Sequence, residues 1–361
     1  MSIQGAFALD RGSFSLQVDF DLPLHGVTAL FGHSGSGKTT WLRCIAGLER
    51  GRGSLRVGDQ CWQDDATGCF VPVHRRPIGY VFQEASLFPH LSVRENLLYG
   101  WRRIVPDQRR VALDEVVEWL GLAPLIDRSP EGLSGGERQR VAIGRALLTS
   151  PRVLLMDEPL AALDARAKGE ILPYLEGLHR RLQIPVLYVS HAVEEVARLA
   201  DRVIRLDGGR VVDQGGIAQV LTRMGRTLTP NGEEEGAVIE ARVTAHDEAQ
   251  GLTRLQFCGG ELLAPLLEVE EGARVRLWIS AREVSLALSP HTDTSVLNIL
   301  AATIEGSETA GPGRMLVRLR CDAVQGGTTL LARITRLSWD KLGLASGQQV
   351  FAQIKGVGLA R

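Results

Sequence analysis

The sequence predicts an α/β domain built around a phosphate-binding loop, followed by a smaller all-β domain. Three observations predict it. A strand, a glycine-rich loop and a helix follow one another over residues 27–46. Apolar β-branched runs then alternate with longer amphipathic ones up to about residue 225, as they do in α/β domains. Beyond a polar breaker, short alternating runs separated by glycine-rich turns read as strands. The length of 361 residues favours two domains over one. With 41 Lys+Arg against 42 Asp+Glu, the net charge of −1 argues against a chain built to coat nucleic acid or an anionic membrane. The 40 glycines follow no G-X-Y period, so they mark turns and close backbone approaches.

Taken in order, residues 27–31 read as a strand and 39–46 as the helix after it. Further strands are expected at 78–83, 152–157 and 185–190, and helices at 108–120 and 137–148. Composition changes at 227–236, where Pro230, Asn231, Gly232 and three consecutive glutamates interrupt the pattern, and the domain boundary is placed there. Strands at 237–244, 275–279, 315–319 and 350–354 follow, with room for two small barrels over 236–288 and 295–361. The expected organisation is therefore 1–230 for the α/β domain, 231–290 for a linker and β-rich segment, and 291–361 for an OB-like β-barrel. No run approaches the ~20 apolar residues of a spanning helix, and residues 1–12 carry no secretory signal pattern, so a cytosolic protein is expected. Five cysteines without a CxxC pair read as reduced thiols.

Gly32, His33, Ser34, Gly35, Ser36, Gly37, Lys38 and Thr39 fit G-x-x-x-x-G-K-[ST], directly after a strand and opening a helix, which is the context that motif needs. The glycines let successive N–H groups turn inward on phosphate oxygens, and the helix adds its positive end. Lys38 is placed for the β- and γ-phosphates and Thr39 for Mg²⁺, with Thr40 beside it; this marks a P-loop NTPase. His33 fills a variable position.

Residues 153–158 form an apolar strand ending in two carboxylates, and ligands of parallel α/β sheets sit beyond such strand ends. Asp157 is placed to hold Mg²⁺ and Glu158 to polarise an attacking water. Gln83 and His191 follow two other strands at the same sheet edge; Gln83 is a candidate for sensing Mg²⁺ and the water, His191 for bonding the γ-phosphate. A second glycine-rich helix entry lies at 133–139. Ser134 and Glu137 make an S-x-x-E capping box there, yet a cap does not need the adjacent Gly135 and Gly136, which allow a close backbone approach at an anion-attracting helix end.

The phosphate loop, Gln83, LSGGERQ at 133–139, LLMDEP at 154–159, AALD at 161–164 and His191 resemble, in content and order, the ATP-binding-cassette (ABC) ATPases. The resemblance implies ATP and Mg²⁺ as cofactors and two cassettes paired head to tail in a homodimer, with Ser134, Gly135 and Gly136 of one clamping the γ-phosphate held by Lys38 of the other. It also puts Asp164 at the dimer seam and an aromatic residue, here Phe14, against the adenine. Apolar Leu87, Phe88, Leu91 and Val93 within 84–100 imply a groove for a short helix of an integral-membrane permease.

The tail resembles the small β-barrel of molybdate-binding proteins over about 295–359, making Ser295, Asn298, Arg333, Thr335, Ser338 and Lys355 candidates for holding an oxyanion. The whole chain therefore resembles the ATPase subunit of a molybdate importer. That implies a peripheral protein on the cytoplasmic face of the inner membrane, served by a periplasmic molybdate-binding protein, with molybdate as a ligand of the tail and no nucleic-acid partner. Sulfate, tungstate, sugar or polyamine importers and a soluble oxyanion sensor are the alternatives.

Overall fold

The computed structural model describes residues 2–224, 235–267, 269–291, 293–321 and 327–355. The chain divides into two compact units, Met1–Gly215 and Gly216–Arg361. The boundary drawn from composition at 227–236 falls mostly on residues 225–234, which lie outside the described residues.

In the first unit, β1 (Ser2–Arg11) and β2 (Phe14–Pro23) form a hairpin, and β3 (Val27–Phe31) runs into α1 (Lys38–Ala46). Then come β4 (Arg52–Val57), β5 (Gln60–Asp64), β6 (Cys69–Phe70) and β7 (Ile78–Val81). Three helices follow: α2 (Val93–Trp101), α3 (Leu113–Trp119) and α4 (Gly135–Leu147). The unit closes with β8 (Val153–Asp157), α5 (Ala165–Arg181), β9 (Val186–Ser190), α6 (Val193–Leu199), β10 (Arg202–Asp207) and β11 (Arg210–Gly216).

All eleven strands join one sheet in the order β6-β5-β4-β1-β2-β11-β10-β3-β9-β8-β7. The sequence dictates two kinds of strand. In β2, Leu16, Val18, Phe20 and Leu22 are buried and alternate with exposed polar residues, the period of a sheet covered on one face. In β3, β8 and β9 every residue is buried, as parallel strands covered on both faces require. Trp41, Leu42 and Ile45 of α1 pack in one cluster with Leu155 and Leu187, each such side chain adding about 1.5–3 kcal/mol by leaving water. Registers align the strand ends: Phe31 pairs with Ser190, Asp157 with Val189 and Val81 with Met156, all in parallel. Whatever follows these residues therefore emerges along one edge.

The helix expected at 108–120 is shorter. Residues Pro106–Gln108 make a 3-10 turn, Ala112 is extended, and α3 begins only at Leu113. Arg110 N–H is drawn away to Ser150 Oγ at 3.0 Å, and Ala112 N–H caps the start of α3 by donating to the Glu115 carboxylate at 2.8 Å. Amphipathic spacing alone does not register such competing acceptors.

The second unit begins with α7 (Ile217–Met224), followed by β12 (Gly236–Asp247), β13 (Leu252–Phe257), β14 (Gly260–Pro265), β15 (Arg274–Ser280) and β16 (Val284–Ala287). It ends with β17 (Asn298–Thr309), β18 (Arg314–Cys321), β19 (Thr328–Thr335), α8 (Arg336–Lys341) and β20 (Gln349–Ile354). These strands form two antiparallel sheets, β14-β13-β12-β15 and β16-β20-β17-β18-β19. Ile239, Leu255 and Leu277 of the first belong to the same buried cluster as Ile304, Leu319 and Ala352 of the second. The two sheets therefore share one core rather than enclosing one each. No helix among the described residues is long and apolar enough to cross a membrane.

Candidate functional site

The strand-end alignment assembles the site. After β3, the chain turns through Gly37 at φ 103°, a left-handed conformation that suits glycine; a Cβ there would stand 2.7 Å from the Phe14 ring. Phe14 thus lies against the base of the loop. Helix α1 starts at Lys38 with no side-chain cap and no acid in its first turn, leaving its N-terminal amides for an anion. Ser36 Oγ is buried and bonded to no group, and a Cβ on Gly35 would meet no atom within 4 Å. Lys38, 3% exposed, folds back so that Nζ donates to the carbonyls of Gly32 at 2.7 Å and His33 at 2.8 Å. Burial pulls its pKa down, and Glu158 and Asp157 partly offset this. An uncapped helix end, an orphaned hydroxyl and a cation parked on loop carbonyls fit a phosphate group.

Asp157 closes β8, 8% exposed. Its Oδ1 accepts from Thr39 Oγ1 at 2.7 Å and its Oδ2 from the Tyr80 hydroxyl at 2.9 Å. Burial raises its pKa, while these two hydrogen bonds pull it back. Burial and the neighbouring Asp157 push the Tyr80 phenol up, so it stays a donor. A hydroxyl and a carboxylate oxygen side by side are hard ligands of the kind Mg²⁺ takes. Glu158, in the next position, has φ 46°, an uncommon conformation for a residue with a Cβ and one found at sites where strain is held for function. Its two oxygens face Lys38 Nζ at 4.0 Å and His191 Nδ1 at 3.3 Å. His191 follows β9 directly and is exposed.

Thr39, Lys38, Asp157, Glu158 and His191 are therefore one cluster. Gln83 stands exposed two residues beyond β7, and Gln139 of α4 donates to the Phe82 carbonyl beside it at 3.3 Å. Ser134 caps α4: Glu137 N–H donates to its Oγ at 3.2 Å, and its own N–H donates to the Glu137 carboxylate at 2.7 Å. Gly135 and Gly136 pack toward Leu163 and Ala167, next to Asp164, whose carboxylate caps α5. Among the described residues no hydrogen bond joins 134–136 to the phosphate loop. Tyr80 escaped sequence reasoning. Its only signal is a phenol in a short strand that enters the site edge beside β8.

The groove residues divide: Val93 is buried at the start of α2, whereas Leu87, Phe88 and Leu91 are half-buried. A cleft of about 820 Å³ lies in the same unit, lined by Leu48, Phe82, Ile104, Arg75, Arg103 and Arg152 among others, and by none of these four groove residues.

The oxyanion candidates are spread along the second unit. Asn298 is buried, and its amide is spent on Leu263: Oδ1 accepts from N–H at 2.7 Å and Nδ2 donates to C=O at 2.9 Å. Lys355 is exposed just past Ile354, the partner of Asn298 in the sheet, and Ser295 is exposed just before β17. Thr335 caps α8 and shares a 2.8 Å hydrogen bond with Ser338. Thr335 pairs with Arg314, and Met315 with Thr309, so Thr335 sits at the opposite end of β17 from Asn298. Arg333 lies two residues before Thr335 on β19. One chain does not gather all six.

Comparison with known proteins agrees with this division. Residues 16–161 match the ABC transporter family model and residues 294–359 the TOBE domain model. The chain is 56% identical to the molybdenum import ATP-binding protein ModC of Aromatoleum aromaticum, over 100% of this chain and 94% of that one. It is 55% identical to molybdenum import ATP-binding protein ModC 1 of Azotobacter vinelandii, over 99% and 98%. Among solved structures, cbiO1 of Clostridium perfringens, part of the ABC transporter complex cbiONQ, superposes with a TM-score of 0.52 at 24% identity, covering 64% of this chain and 96% of that one.

Proposed function

The chain belongs to the molybdenum import ATP-binding proteins, subunits of ABC transporters, and from that premise we propose that two copies of it hydrolyse ATP between them to drive molybdate through a separate membrane permease. It is the ATP-binding subunit of a molybdate-importing ABC transporter. The observation that carries the residue assignments is the meeting of Thr39, Asp157 and Glu158 with Lys38 at the ends of β3 and β8.

The loop 32–37, with Lys38, Thr39 and Thr40, binds the phosphates. Lys38 Nζ exchanges the Gly32 and His33 carbonyls for phosphate oxygens, and the uncapped amides of α1 add to it. Thr39 and Asp157, with Gln83 as the further candidate, would hold Mg²⁺, which when bound would neutralise phosphate charge. Glu158 orients the attacking water and takes its proton. His191 holds the other Glu158 oxygen and donates toward the γ-phosphate. Ser134, Gly135 and Gly136 complete the site from the second copy; among the described residues the two glycines pack toward Leu163 and Ala167 and no hydrogen bond joins the three to the phosphate loop of their own chain, which supports that arrangement.

We assign residues 1–215 to the motor and the residues from 216 onward, whose two sheets share one core, to a single β-rich unit that carries an oxyanion-binding module at 291–361. Ser295, Arg333, Thr335, Ser338 and Lys355 contribute at a contact between copies, and Asn298 shapes that module by holding Leu263. The half-buried Leu87, Phe88 and Leu91 receive a permease helix, and the chain then works as a peripheral protein on the cytoplasmic face of the inner membrane. Reconstitution of the full chain with its permease in vesicles, supplied with a molybdate-loaded binding protein, tests this reading. ATP-dependent uptake of labelled molybdate that excess sulfate does not suppress, and that Glu158→Gln abolishes, is expected. Uptake of sulfate in preference, or undiminished uptake with Glu158→Gln, would overturn it.

A further inference from the structure

Glu195 on α6 is 5% exposed and has no part in the site as built so far. Its Oε2 accepts from the Tyr188 hydroxyl at 2.9 Å and the Ser190 hydroxyl at 2.8 Å, and its Oε1 from the Lys168 ammonium at 2.8 Å. Three elements, β9, α5 and α6, therefore converge on one carboxylate. A buried charge with its partners in place is rigid, because releasing any of them leaves a costly unpaired group.

The partners differ in what they pass on. Tyr188 is buried within β9, and its hydroxyl leads no further. Ser190 Oγ also accepts from the Ala192 N–H at 3.0 Å, spanning the turn that displays His191. His191 in turn stands 3.3 Å from the Glu158 carboxylate. Lys168 belongs to the first turn of α5, where its N–H bonds the Asp164 carbonyl at 2.9 Å. The carboxylate thus restrains the His191 turn through one oxygen and the turn that begins at Asp164 through the other.

We infer that Glu195 is a positioning residue for ATP hydrolysis, clamping the Ser190 turn so that His191 faces Glu158 and tying that turn to the start of α5. The inference rests on the reading of Glu158 and His191 given above. The relay through Ser190 distinguishes it from a general structural role, in which Tyr188 and Ser190 would be equivalent.

The test compares Ser190→Ala, Tyr188→Phe and Glu195→Gln in the full-length chain. In the nucleotide-free chain, hydrogen exchange of the Ala192 amide should quicken at least tenfold with Ser190→Ala and Glu195→Gln and stay within twofold with Tyr188→Phe. ATP hydrolysis should show a kcat about tenfold lower for the first two at an unchanged KM, and near normal for Tyr188→Phe. Should Glu195→Gln not fold, Glu195→Asp, which withdraws the carboxylate from the Ser190 hydroxyl, takes its place in the comparison. Equal behaviour of Ser190→Ala and Tyr188→Phe, or a change in KM rather than kcat, would overturn the inference. A His191→Ala control separates the two levels: full activity there removes the reading of His191, whereas a slow His191→Ala beside a normal Ser190→Ala removes only the clamp.

Discussion

Replacing Asn298 by alanine separates a structural from a ligand-binding role in the second unit. The side chain makes two hydrogen bonds to Leu263, at 2.7 and 2.9 Å, and so staples β14 to β17 across the two sheets. Each bond contributes about 1 kcal/mol, and the freed Leu263 N–H and C=O add a further cost. Leu263 is half-buried, so water satisfies part of that loss. The total comes to about 2–3 kcal/mol. At about 2–4 °C per kcal/mol for a unit of this size, the endotherm of the second unit should fall by about 4–12 °C. Scanning calorimetry of the full chain measures this, and titration calorimetry with molybdate runs alongside. Ser295→Ala, which removes an exposed hydroxyl ahead of β17, should leave the endotherm near its parent value. An Asn298→Ala chain that melts within about 1 °C of the parent but no longer binds molybdate would refute the reasoning, because the amide would then serve the ligand and not the sheets.

Glu158→Gln keeps the side-chain shape and removes the base, so kcat should drop by about 10²–10⁴ while nucleotide binding persists; a normal rate would show that another group takes the proton. Tyr80→Phe takes one donor from the buried Asp157, and a loss of about 1–1.5 kcal/mol should raise the Mg²⁺ midpoint for hydrolysis roughly five- to tenfold, read from a Mg²⁺ titration at saturating ATP. The Glu137 carboxyl is held below its usual range chiefly by the Ser134 N–H, so its contribution is present above the unfolded carboxylate pKa and is lost as pH falls through the lower folded value. Protection of the Ser134 amide, taken relative to its intrinsic exchange rate, should therefore fall as pH drops through and below the ordinary carboxylate range, and Glu137→Gln should remove that pH dependence.

Motifs that are contiguous in sequence were legible because local backbone geometry makes them work. The phosphate loop needs its glycines, its lysine and the helix behind it within a few residues, and β3 and α1 stand where that pattern predicts. The same holds for Asp157 at the end of an all-buried strand and for the Ser134–Glu137 cap. Less was legible where distant groups compete. The Arg110 amide finds Ser150 Oγ, 40 positions away in the chain, and Ala112 serves as the cap of α3, which shortens the expected helix. Asn298, chosen as a ligand for its amide, spends that amide on a backbone 35 positions away in the chain.

By itself the sequence determined the chemistry: a phosphate loop, two carboxylates after an apolar strand, a second glycine turn and a β-rich tail, each a short-range pattern with its own physical requirement. The tertiary structure alone decided which groups meet. Parallel register sets Phe31, Asp157 and Ser190 in line, so that Lys38, Glu158 and His191 come within reach of one another although more than a hundred residues separate the first from the others. It also placed Tyr80 on Asp157 and merged two expected barrels into one core. These outcomes depend on strand order and on the burial of long-range pairs, which no local spacing encodes.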